Sequence, residues 1–440
     1  MIPRSAPRFF HLSLVFLFAS LAACSSGLTV RPEKVGMSSE RIRELHSLLQ
    51  GLVDKKQIAG GVGLVIRRGR AAYFDAVGLQ DVETKAPMAV DTIFRICSMT
   101  KPITSVGALM LVEEGKLALN DPVAKFIPEF RNAPVVVLEP PKKEGDPKAY
   151  RHMPIERPMT IQHLLTHTSG LTYGLMGREY LLDHYRRVGV SDGLIETEGT
   201  MADNVKKLAS LPLKFQPGSD WEYGLSADVL GRVIEIVSGE TLDSFFQKRI
   251  FGPLKMTDTH FRLPPAKRDR LATVYQPKAD KTIERLPDGP ARRGYASYSA
   301  TYPYKEPVRY FSGGAGLIST LRDYARFLRM LAEGGKLEGV RLLKEETVAL
   351  MTRNHCDPAR VWIKSHGDGF GLGVGVVTEA AKDQGFGSVG TYSWGGFFHT
   401  YFWVDPKEEM IGIVMTQLYP WDHMTLFGDF RKLAYAALVR

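Results

Sequence analysis

Hydrophobic and polar positions recur with a period that changes along the chain, and each change marks an element. After Ser38 or Ser39, the residues Ile42, Leu45, Leu48, Leu49 and Leu52 recur at helical spacing, which predicts an amphipathic helix to about Lys55 with a serine as N-cap. "GGVGLVIRRGRAAYFDAVG" reads as two strands joined by a tight turn at Arg67 to Arg70. In "FRICSMTKP" a helix opens at Ser98 and runs through Ala108, Leu109, Leu111 and Val112 to a stop near Gly115. Its apolar residues cover most faces, so burial over most of its length is expected.

From about Asp91 to Val308 the signals are helices and long loops, as in "TIQHLLTHTSGL", "TMADNVKKLASLPL" and "SADVLGRVIEIVSGETLDSFFQKRIFGPL". The stretches Arg131 to Pro158 and Pro277 to Pro307 read as surface excursions. The second holds a tyrosine-rich run, Tyr295 to Tyr304, that either lines a pocket or decorates the surface. After Gly313 a helix from Thr320 to Ala332 is expected, with Thr320 as N-cap and Asp323 near the positive helix end. The strands "FGLGVGVV", "TYFWVD" and "MIGIVMTQ" follow. Strand material at both ends predicts one α/β unit, about 38–90 and 310–440, interrupted by a mainly helical part, about 91–309.

Composition changes this picture little. With 44% hydrophobic and 24% charged residues in 440, the chain has the make-up of a folded protein. Its formal charge of +9 is spread among acidic residues, and the densest clusters, Arg67 to Arg70 and Arg186 to Arg187, are too short for a nucleic-acid stripe. Nucleic acid is therefore not an expected partner. The N-terminus matters more. "MIPRSAPRFFHLSLVFLFASLAACSSG" has two arginines and then an apolar run from Leu12 to Ala23, too short to span a membrane, so residues 1–23 read as an export signal. Leu21 to Cys24 resembles a bacterial lipobox, which implies lipidation of Cys24, a tether over 24–37, and attachment to a membrane by acyl chains. Ser25 is compatible with the outer membrane facing the periplasm in a Gram-negative cell. Plain secretion with a free Cys24 is the alternative. A disulfide between the remaining Cys97 and Cys356 has no positive support.

Among the chemical motifs, some fail on context. His163 and His167 stand at i, i+4 without the glutamate of a zinc protease, so no metal is expected there. "GFGLGVG", from Gly369, is followed by strand-like residues instead of a helix, so its glycines read as a strand passing close to another backbone. Ser98 and Lys101 remain. At i and i+3 they project from one helix face within proton-transfer distance, where Ser98 is either a cap beside a solvated cation or a nucleophile beside its base. Tyr223, just ahead of a helix in "FQPGSDWEYGLSADVLG", is a candidate proton relay.

"FRICSMTK", "HLLTHTSGL", "FQPGSDWEYGLSADVLG", "GGAGLISTLRDYARFL" and "WGGFFHTYFWVDP", in that order, resemble the serine β-lactamase and penicillin-binding-protein superfamily. Within it the likeness is greatest to the family VIII carboxylesterases, and it runs from about residue 35 to the end. The resemblance implies an antiparallel sheet flanked by helices, a mainly helical region, and an active site in the cleft between. It implies Ser98 as the nucleophile forming an acyl-enzyme, Lys101 as its proton acceptor and Tyr223 as the acid or base partner. Trp394, Gly395 and Gly396 take the place of the K-T-G strand, and the N–H groups of Ser98 and Phe397 form the oxyanion hole. A register using His399 and Thr400 ranks lower, because Tyr401 then replaces the family glycine.

Departures from the family pattern shift the expected substrate. Leu225 stands where lactamases of this branch carry the asparagine of Y-x-N, and the K-T-G cation is missing; both point towards esters. The expected partner is a small ester, with amide, D-amino-acid peptide, lactam or acyl-transfer chemistry as alternatives. No cofactor is implied. Ser226 and Asp228 read as helix-capping residues, His163 and His167 as part of a buried turn, and Trp394 as either a substrate wall or a residue packed inward.

Overall fold

A computed structural model describes residues 28–439 apart from 140–142, 144–148, 176–178, 295, 358–359 and 386. Cys24, the export segment and Tyr295 lie outside the described residues. The core is one eight-stranded sheet built from β1 (Gly60–Arg67), β2 (Arg70–Asp81), β3 (Ala86–Pro87), β4 (Gly369–Phe370), β5 (Gly375–Val376), β6 (Tyr392–Gly396), β7 (Thr400–Asp405) and β8 (Met410–Met415). Its order is β4-β5-β6-β7-β8-β1-β2-β3, with every neighbouring pair antiparallel. Strands from the two ends of the chain thus meet at the centre, where Val62 faces Met415 across β1 and β8.

Five helices bear on the site: α1 (Ser39–Asp54), α2 (Thr100–Glu113), α3 (Ser226–Ser238), α4 (Leu321–Ala332) and α5 (Leu426–Ala436). β1 is buried along its whole length because both sheet faces are covered. Val62, Leu64 and Ile66 enter one core with residues of α2 and α4, while Val65 enters another with Tyr73, Trp403 and the apolar faces of α1 and α5. Gly63 leaves room for the second layer: a Cβ there would stand 2.7 Å from the Tyr73 ring and 2.8 Å from Phe430. The predicted turn after β1 has Arg68 and Gly69 at φ of 50° and 73°, the left-handed pair a tight hairpin needs. Ser38 caps α1 by accepting from the Arg41 N–H, and Thr320 caps α4 through the Asp323 N–H. The two ends of the described fold are stitched together: α1 packs on α5, Met37 bridges Leu438, and the Val439 N–H donates to Gly36 O at 3.0 Å.

Three expectations are corrected. "FGLGVGVV" is two short strands, β4 and β5, because the chain reverses at Gly371 and Gly373. A Cβ on Gly371 would lie 2.3 Å from Met351 O, and Gly373 sits at φ 92° against Ser105. The close backbone approach was anticipated; the reversal was not. The excursion at 277–307 is no mere surface loop, since Tyr298 and Tyr302 are buried with Cys97, Val274, Leu286 and Phe398 in a small separate core. Ser226 and Asp228 do not cap α3. Its N-cap is Leu225, without a side-chain bond, and the two polar residues hold neighbouring loops instead. Among the described residues no helix is long and apolar enough to cross a membrane.

Candidate active site

Ser98 lies in a single 3-10 turn, Cys97–Met99, that runs directly into α2. Cys97 before it has φ 44°, a strained conformation for a residue with a Cβ, held by packing beside Tyr302. Lys101 follows on the first turn of α2 and is only 1% exposed. Its Nζ is 3.1 Å from Ser98 Oγ, 2.9 Å from Tyr173 OH and 2.8 Å from Gly314 O. Burial pushes the Lys101 ammonium down to about 7, while the charge of Asp228 works the other way. Among the described residues no carboxylate pairs with the amine directly. Asp228 accepts from Tyr310 OH at 2.9 Å and Ser312 Oγ at 2.7 Å, and so fixes the loop that presents the Gly314 carbonyl to Lys101.

Tyr223 comes from the loop ahead of α3. Its ring lies under Lys101, with Nζ 4.5 Å from the ring centre, and its OH accepts from Trp394 Nε1 at 3.1 Å. Burial pushes its phenol up, and hydrogen bonding to Ser98 and Trp394 pulls against that. Leu225, two residues on, is fully buried in the core and does not reach the cavity.

Sequence reasoning missed Tyr173. It follows the "HLLTHTSGL" turn, which reverses at Gly170 (φ 86°), where a Cβ would collide with Phe215 O at 2.6 Å. That reversal carries Tyr173 back to Lys101 across 72 positions. Only the glycine hinted at it. The same turn accounts for the histidines: His163 Nδ1 accepts from Thr160 N, and buried His167 accepts from Gly224 N at 3.3 Å. Thr172 Oγ1 donates to buried Glu222 at 2.7 Å, tying the residues ahead of the two tyrosines together.

β6 supplies Trp394 to Gly396, with Phe397 just beyond. β7 pairs with it throughout, but on the other side β5 reaches only Tyr392 and Ser393, so the edge is open from Trp394 onward. Gly396 is required where this edge lies against the Ser98 turn, since a Cβ would stand 2.4 Å from Ile96 O. Trp394 proves to be both wall and core: it is 2% exposed among Tyr223, His366 and Phe370, yet borders the cavity. His399 is buried in the β6–β7 turn, with Nδ1 2.8 Å from Thr416 Oγ1, and lies outside the cavity lining.

Ser98, Tyr223 and Trp394 to Phe397 line one cavity of about 630 Å³. Leu175, Ile363, Tyr419 and Trp421 make it largely apolar, and Tyr401, Phe427 and Arg431 line it as well. Ser98 belongs to elements on one face of the sheet and α5 to the other, so the cavity turns around the open edge of β6. Tyr298 does not line it; its ring backs Phe397 at 5.5 Å. Cys97 and Cys356 are both buried and free.

A hydroxyl, a buried amine and two phenols in a cleft beside an antiparallel sheet define a serine hydrolase. The family model described as Beta-lactamase matches residues 45–436, and the chain belongs to that family. It is 35% identical over 380 residues to Esterase EstB of Burkholderia gladioli, covering 84% of this chain and 89% of that one. It is 29% identical over 396 residues to lovastatin esterase of Penicillium rubens, covering 84% and 91%. Among solved structures, that of EstCE1, described as a hydrolase with promiscuous acyltransferase activity, aligns with a TM-score of 0.77 at 29% identity over 91% of this chain and 99% of that one.

Proposed function

We propose that the protein hydrolyses carboxylic esters through an acyl-enzyme on Ser98. The carrying observation is Lys101: a buried amine, driven towards its neutral form, within 3.1 Å of a serine hydroxyl at the mouth of an apolar cavity. Its lone pair takes the Ser98 proton as Oγ attacks the ester carbonyl. The backbone N–H groups of Ser98 and Phe397 receive the oxyanion, where loss of one donor typically costs on the order of 10²- to 10³-fold in rate. Tyr223 protonates the departing alcohol, and water activated through Tyr223 and Lys101 then releases the acid. Leu225 in the core and Trp394 at the K-T-G lysine position leave a lactam without the side-chain amide and cation that would grip it. The names of EstB and lovastatin esterase agree with an ester substrate.

Acyl transfer is the second reading, favoured by the cavity, which continues past Ser98 around the strand edge and so has room for an alcohol in place of water. The protein from residue 28 and its Ser98→Ala variant, assayed in parallel with a short-chain p-nitrophenyl ester and a chromogenic cephalosporin, test both chemistry and substrate. Ester turnover lost in the variant, with little lactam turnover, is expected. Faster lactam than ester turnover would overturn the substrate assignment, and turnover persisting in Ser98→Ala would overturn the mechanism. Export and lipidation at Cys24 are proposed on the "LAAC" sequence alone; the mass of the mature N-terminal peptide checks them, and an unmodified Cys24 would refute lipidation.

A further inference from the structure

The hydrogen bonds around Ser98 have a direction that follows from chemistry. At one end stands Trp394, whose indole Nε1–H donates and cannot accept, 3.1 Å from Tyr223 OH. At the other stands the Gly314 carbonyl, which accepts and cannot donate, 2.8 Å from Lys101 Nζ. A phenol oxygen that receives the indole proton has its own hydrogen to send elsewhere, and Ser98 lines the same cavity beside it. Lys101 as an amine has two N–H bonds. One goes to Gly314 and the other to Tyr173 OH at 2.9 Å, which leaves its lone pair to the Ser98 hydroxyl.

We propose that Trp394 is a positioning residue for Tyr223: its indole N–H aims the Tyr223 hydroxyl at Ser98 and holds the phenolate oxygen once Tyr223 has given its proton to the leaving alcohol. This rests on the Ser98 acyl-enzyme reading above. The chain then runs one way, from Trp394 through Tyr223, Ser98 and Lys101 to Gly314. When Ser98 Oγ bonds to the carbonyl carbon, its proton passes to Lys101 and the carbonyl π pair moves onto oxygen. On collapse that pair returns, the C–O bond to the alcohol breaks, and the alkoxide takes the Tyr223 proton. The Tyr223 phenolate and the Lys101 ammonium return to their starting forms by proton exchange with solvent water, so in balance serine's proton ends on the alcohol. Lys101 spends its own hydrogen bonds on Ser98, Tyr173 and Gly314, which leaves the indole as the donor that steadies Tyr223.

Such a donor matters most when the leaving group needs a proton. A nitrophenolate departs as the anion, whereas an alkoxide does not. The test compares kcat/KM, which reports acylation, for p-nitrophenyl butyrate and ethyl butyrate. Trp394→Phe keeps an aromatic ring and removes the N–H; the alkyl-to-aryl ratio is expected to fall about tenfold or more. Tyr223→Phe should lower the same ratio, and the double variant should fall no further than Tyr223→Phe alone. Equal losses on both esters in Trp394→Phe, or additive losses in the double variant, would overturn the proposal. Trp394→His retains a ring N–H and should keep a ratio nearer wild type. If the phenylalanine variant does not fold, a folded Trp394→His with a collapsed ratio overturns it instead. Ser98→Ala measured alongside separates the two levels: activity surviving there removes the acyl-enzyme reading, whereas an inactive Ser98→Ala with an unchanged ratio in Trp394→Phe removes only the role of Trp394.

Discussion

In the proposed mechanism Ser98 becomes a nucleophile only when Lys101 has given up its proton, so the pH at which Lys101 titrates would set the pH at which the enzyme works. Burial lowers that value to about 7. Because the amine is the active form, kcat/KM is expected to rise with pH through about 7 and level off above it; a profile flat from pH 5 to 9 would contradict this. Asp228 favours the ammonium, so Asp228→Asn should move the rising limb to lower pH, while loosening the loop that carries Gly314. A limb moving upward would show that its charge is not felt at Lys101. Ser98→Ala should lose at least about 10³-fold in kcat. Local spacing made Ser98 and Lys101 legible in the sequence, since i, i+3 on a helix needs no tertiary knowledge. Tyr173 and Asp228 were not legible in their roles: both act on Lys101 through chain reversals, at Gly170 and at Gly313 to Gly314, that no local pattern encodes.

At the scale of elements, β6 is held from behind. Tyr298 packs edge-on against Tyr419 at 4.7 Å and beside Phe397 at 5.5 Å, so the hairpin at 290–299 supports the strand end that borders the cavity. Tyr298→Ala should destabilise by about 3 kcal/mol, read as a lower midpoint in urea. It should also slow ester turnover; stability lost with kcat/KM unchanged would show that Phe397 is held by other contacts. In the central strand, Gly63→Ala has no room between Tyr73 and Phe430 and should cost about 1–3 kcal/mol, measured in the same way. Periodicity was a good guide where an element has one wet and one dry face, as in α1 and α4, and where the cap is a side chain, as at Ser38 and Thr320. It failed at 277–307, where tyrosines buried by distant partners carry no period, and at Gly371 to Gly373, where two β-residue runs hide a reversal.

For the whole molecule, the cavity matters more than any one wall, because its lining includes both Ser98 and residues of α5, which pack on opposite sides of the sheet. An alcohol added to the assay should therefore be acylated in competition with water, giving a transester whose yield grows with alcohol concentration; hydrolysis as the sole outcome at high alcohol would argue against the second reading. The clasp between residues 36–37 and 438–439 has a further consequence. With Val439 bonded to Gly36, the order in which the polypeptide is threaded is separable from the shape it takes. A circular permutant, rejoined from 439 to 36 by a short linker and reopened at the exposed Arg68–Gly69 turn, should fold and retain its ester turnover.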